Sequence, residues 1–254
     1  MVESDVVSHP NRVRTESEAW VVRLGAWGGL VGSLLAMIGN LLHPATPEHD
    51  PLGVARMIAE SQIWVPVHLV IVVGLILMLG GLVAISRSVV GGPPGALSQL
   101  GLWAGVAGIA VGVILVIIDG VAAKHLADVW REAPAAEAPV ALRVVVAEES
   151  INFALAALFN ILFAGVTFML LGLAVALSGE HPRGPAWAVV LAGVLSIPVA
   201  LVQAYQGETV AFTRIATIIS PTVITLWVIW MCVRLLRSPP SAANLRDAAA
   251  GSIT

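Results

Sequence analysis

The sequence predicts an all-α polytopic transmembrane bundle of six spans. Hydrophobic residues make up 58% of the 254, and charged residues only 11%, against about a quarter charged in soluble proteins. Six stretches are each apolar over the roughly 20 residues that a helix needs to cross a bilayer. Turn-rich segments such as GGPPGALS and SGEHPRGP separate neighbouring stretches. Helices are the open-ended way to satisfy every backbone polar group in lipid.

Residues 1–19, MVESDVVSHPNRVRTESEA, form a polar segment of mixed charge. They lack the basic start, short apolar core and small-residue cleavage site of a secretory signal. The transmembrane domain is expected over 20–237. Its first span runs from Trp20 to Leu42. The loop HPATPEHDPLGVARMIAESQIW follows, turning at its prolines and carrying a short interfacial helix from Leu52 to Glu60. The second span covers Ile63 to Ser86. GGPPGALS leads into the third, which starts near Ser98 and passes Asp119. It ends near Trp130, because the prolines of REAPAAEAPVALR interrupt a helix. The fourth span is expected over Ser150 to Leu177, the fifth over Pro185 to Ala204 and the sixth over Ile215 to Leu236. Residues 238–254, SPPSAANLRDAAAGSIT, read as a disordered tail.

Lys and Arg set the orientation. A cytoplasmic N-terminus puts eight of the 13 inside and leaves Arg56, Lys124, Arg131, Arg143 and Arg214 outside. Six spans return the C-terminus to the same side. The net charge of -3 and the lack of a dense basic patch exclude a nucleic-acid partner. The implied partner is the lipid bilayer, with a homo-oligomer or a membrane partner subunit left open. Cys232 is the one cysteine, so no intrachain disulfide forms.

Small residues mark the packing faces. Gly25 and Gly29, Gly28 and Gly32 are each four apart. Gly101, Gly105, Gly108 and Gly112 make a stripe along the third span, and such stripes let helix backbones approach closely in lipid. No Lys-Ser or Lys-Thr follows them, as a phosphate loop would require. Pro198 and Pro221 lie inside late spans.

The chemistry-bearing residues gather at the ends of the helices opposite the termini. His43 ends the first span and His68 lies a turn inside the second. Asp119 follows thirty-one uncharged residues, with His125 beyond it; Glu148, Glu149 and Asn152 open the fourth span. Imidazole and carboxylate suit zinc or another borderline divalent metal. His43, His68 and His125 are the candidate nitrogen ligands. Asp119 and Glu149 are the candidate oxygen ligands, catalytic bases or coupling carboxylates. Glu148, Asn152 and Asn160 are candidates to line the site. Asp119 is expected to face the bundle interior near His68 and Glu149, since a lone carboxylate facing lipid is costly. A b-type haem would need His68 and His125 as its axial pair. No HExxH, CxxCH or GxSxG occurs. Three functions therefore stand: a protein handling a small molecule or ion at an outer-face His/carboxylate site, a metal-dependent membrane hydrolase, and a non-catalytic structural or partner-binding subunit.

An early GxxxG helix, a polar loop after it and a glutamate opening the fourth span together resemble uncharacterised bacterial six-span inner-membrane proteins. That resemblance implies multi-pass residence in the bacterial plasma membrane, and no particular activity. The scattered outer-face His and Asp also look like membrane zinc hydrolases of the ceramidase type. The chain departs from those in its six spans and its lack of a late-helix HxxxH, so no catalytic residue carries over.

Overall fold

A computed structural model describes residues 16–44, 47, 50–206 and 211–237, with only the backbone for 211–214 and 217. Seven helices are found among them, and no strand: α1 Glu16–Leu42, α2 Pro51–Glu60, α3 Trp64–Ser88, α4 Gly92–Glu132, α5 Ala138–Ser178, α6 Arg183–Gln206 and α7 Ala211–Arg237. All but α2 are long and apolar enough to span a bilayer, so the chain is a multi-pass helical bundle of six spans. The expected tail, and residues 1–15 of the expected N-terminal segment, lie outside the described residues.

Two boundaries differ from the sequence expectation for one reason. α4 begins at Gly92 rather than Ser98, and α5 at Ala138 rather than Ser150. In both, prolines occupy the first turn. A proline there gives up an N–H that has no helical partner anyway, and its fixed φ suits the helix. Pro93, Pro94 and Pro139 thus start helices instead of ending loops. Glu148 and Glu149 consequently sit well inside α5 rather than at its mouth. Gly179, with φ 72°, takes the left-handed conformation that closes α5.

α3 and α5 are the most buried spans. α1 lies against α3 almost backbone to backbone. A Cβ on Gly29 would run into Gly81, and one on Gly32 into Gly74 and Met78. The stripe on α4 is buried along its whole length. A Cβ on Gly101 would meet Leu171, on Gly105 Leu82 and Thr167, on Gly108 Phe163 and on Gly112 Phe159. This face therefore seats α5.

At the end of the bundle opposite the start of α1, a second, smaller core forms. Val54, Ile58 and Ala59 of α2 pack with Trp64 of α3 and with Ala123 and Ala127 of α4. Asp50 caps α2 by accepting the Gly53 N–H at 2.9 Å, with Pro51 in the first turn. Lys124 and Arg131 both donate to the Ala59 carbonyl at 2.7 Å. They bring positive charge to the negative end of α2. Asp128 holds the two cations in place, at 2.8 Å from Lys124 and 3.1 Å from Arg131.

Candidate metal centre

Three helix ends meet beneath this cap. His43 follows the last turn of α1, His68 is one turn into α3, and Asp119 lies in a π-helical turn, Ile118–Ala122, within α4. A π turn widens the helix locally and leaves its backbone groups poorly matched. Here the Asp119 carbonyl accepts the Trp64 indole N–H at 2.8 Å. Gly120 makes the approach possible: a Cβ there would overlap the His68 side chain. Trp64, four residues before His68, also stacks obliquely on both imidazoles, with centroids 4.7 Å from His68 and 4.8 Å from His43.

The ring nitrogens are sorted by their partners. His68 Nδ1 lies 2.6 Å from the Trp64 carbonyl, and His43 Nδ1 2.8 Å from the Pro44 carbonyl. A carbonyl only accepts, so each Nδ1 carries the proton. Each neutral ring then presents a bare Nε2 lone pair. This N–H to carbonyl arrangement is how metal-ligating histidines are commonly oriented. The two Nε2 atoms are 3.2 Å apart. Asp119 Oδ2 is 3.1 Å from His68 Nε2 and 4.0 Å from His43 Nε2. One ligand atom from each residue falls within 4.8 Å of the others. Three acceptors facing one another repel unless a cation lies among them. A proton on His68 Nε2 bridges one pair; a metal ion satisfies all three.

The other side of Asp119 is held by Asn152. Its amide N–H₂ donates to Glu148 Oε1 at 2.6 Å and to Asp119 Oδ1 at 3.4 Å. Two carboxylate acceptors fix which end of the amide carries the hydrogens. The opposite atom, Asn152 Oδ1, is buried and accepts no hydrogen bond among the described residues. Burial, reinforced by the neighbouring His68, holds the pKa of His43 below the ordinary histidine value of 6.5, against the smaller opposing pull of Asp119 and Pro44.

A cavity of about 390 Å³ opens from these groups into the bundle. Glu149 and Gln203 join His43, His68, Asp119 and Asn152 around its polar part, and Ile71, Leu75, Val116, Phe153 and Phe159 wall the rest. His43, His68 and Asp119 thus converge. Other candidates do not join them. His125 is exposed on α4, so the trio of histidines is replaced by two histidines and Asp119. His68 is buried and turns Nε2 toward His43 and Asp119, while His125 is exposed, so the two are not arranged as an axial pair for a haem. Asn160 lines a different, apolar cavity between α5, α6 and α7. Glu148 is buried behind Asn152 rather than facing the cavity.

Compared with known proteins, the chain matches no family model, no curated protein and no solved structure. Its site must be read from its own geometry. Sequence reasoning did not single out Trp64, Gly120 or the π turn. The visible signals were a tryptophan one helical turn before His68 and a glycine directly after the first carboxylate of its span.

Proposed function

We propose that this chain binds a divalent metal ion of the zinc class through His43 Nε2, His68 Nε2 and Asp119 Oδ2, and handles a small molecule or ion at that centre. The observation that carries the reading is the convergence of two imidazole Nε2 atoms and a carboxylate oxygen, with 3.1 and 3.2 Å between neighbouring ligand atoms. Tetrahedral coordination at about 2.0–2.1 Å separates ligand atoms by roughly 3.4 Å. Two of the edges match this length. The third, at 4.0 Å, closes with an inward shift of the His43 ring of roughly half an ångström, well within the ordinary adjustment of metal ligands. A fourth ligand would enter from the cavity, which Glu149 also lines.

The excess of eight basic residues over five supports cytoplasmic termini, which puts the centre on the outer face of the membrane, in the bacterial plasma membrane by the resemblance given above. A metal-dependent hydrolase is the second reading. Glu149, which lines the same cavity, favours it as a base for metal-bound water.

The test is metal uptake by purified, metal-stripped protein in detergent. The wild type and His125→Ala are expected to bind zinc with equal stoichiometry, while His68→Ala and Asp119→Asn lose it. Equal uptake by all four proteins would overturn the assignment, as would loss on replacing His125 alone.

A further inference from the structure

We infer that the ligand of this centre is an amphiphile with a neutral, oxygen-bearing head and an apolar tail; the inference rests on the metal reading above. The cavity is divided by chemistry. Along α3, α4 and α5, away from His68, Asp119 and Asn152 and toward the middle of each helix, the lining is apolar, with Leu75, Val116, Ala156 and Phe159, while Asn40 and Gln203 add polar lining on α1 and α6. At about 390 Å³ it falls in the range of roughly 300–1,000 Å³ that takes small organic ligands. A bare ion needs none of that apolar volume, and a wholly polar solute would leave it unmatched.

The charges select the head. A divalent ion held by one carboxylate keeps one net positive charge, and Glu149 on the same cavity wall offsets it. An anionic head such as a free carboxylate or phosphate gains little there, and an ammonium head meets the metal. A neutral hydroxyl, carbonyl or amide places its oxygen in the open coordination position. A hydroxyl or a primary amide also has an O–H or N–H to give. Asn152, which lines the cavity, has a buried Oδ1 that accepts no hydrogen bond among the described residues. A head that both ligates and donates therefore suits the metal and this acceptor together.

Primary alkyl amides combine these features and serve as probes, with acetamide standing for the bare head. Binding of acetamide and of its six- and ten-carbon homologues is measured by calorimetry on zinc-loaded protein in phosphatidylcholine nanodiscs. Affinities are referred to the free aqueous concentration, with empty nanodiscs subtracted. Affinity is expected to rise up to about fourfold per added methylene, the factor for burying a CH₂. Ala156→Phe fills the apolar end from α5, and Val116→Phe fills it from α4 should the first fail to fold. Either variant is expected to keep zinc and acetamide binding and to lose the gain with chain length. Protein that binds zinc and acetamide but shows no chain-length gain, or keeps the gain in both filled variants, overturns the amphiphile alone. Protein that takes up no zinc overturns the metal reading and the metal-held head with it.

Discussion

Replacing Gly120 by alanine tests the centre with one methyl group. The added Cβ would overlap the Cβ and ring of His68. His68 has little freedom to yield. It is 1% exposed, its Nδ1 is bound to the Trp64 carbonyl at 2.6 Å, and its ring rests on the indole of Trp64. Either α4 shifts away or the imidazole rotates off its partners. Forcing a methyl into a packed site costs about 1–3 kcal/mol. Disturbing the groups that orient a metal ligand typically weakens binding about 10- to 100-fold. Zinc affinity by competition with a chromophoric chelator, and melting temperature in detergent, are measured together. Gly108→Ala is the control. It crowds Phe163 at 2.8–2.9 Å, away from the centre, so it should lower the melting temperature and leave zinc affinity unchanged. Gly120→Ala with both quantities at wild-type values would refute the account of how α4 meets His68.

Gly105→Leu and Gly108→Leu are each expected to destabilise the bundle by about 1–3 kcal/mol through overpacking against α3 and α5, read as a lowered melting temperature. The depressed pKa of His43 means that the unfolded chain takes up its proton first as pH falls. Its contribution to stability is complete above the ordinary value of 6.5 and is lost as pH drops through the lower folded value. Metal-free wild type should therefore lose more stability than His43→Gln between pH ~7.5 and ~5, and identical pH profiles would exclude the effect. Cysteine placed at Thr46 should react with an impermeant thiol reagent from outside the cell, while cysteine at Ser8 or Ala249 should react only after permeabilisation; the native Cys232 is buried and stays silent.

The span count and the interfacial helix were legible because length and hydrophobicity decide both. α2 runs from Pro51 to Glu60, one residue from the sequence reading. The starts of α4 and α5 were not, since a proline ends one helix and begins another with the same residue type. Only the neighbouring helices decide which. The convergence of His43 with His68 was suggested by topology, as the two flank one loop at the same end of the bundle. The exclusion of His125 follows from angle: six residues from Asp119, it points roughly 120° away around the helix. The π turn was invisible, because no residue type is diagnostic for it and its carbonyl finds a partner, Trp64, 55 positions away.

The direction of Asp119 was written in the sequence more plainly than its isolation suggested. Gly101, Gly105, Gly108 and Gly112 recur at intervals of four, three and four and are all buried. Seven residues on, close to two helical turns, comes Asp119. Leu115 and Val116, between them, face the same cavity. The face that lets α4 lie against its neighbours thus ends in the carboxylate. Turning Asp119 toward lipid would require turning the glycines outward as well, and Phe159, Phe163, Thr167 and Leu171 would lose the surface they rest on. The packing of the whole helix therefore holds the carboxylate inward at an end where a lone charge would otherwise swing to the headgroups. Gly120 then brings His68 against it. A site assembled this way depends on helix-helix contact over the full depth of the membrane, so the stripe on α4 positions the ligand as surely as the residues that touch the metal.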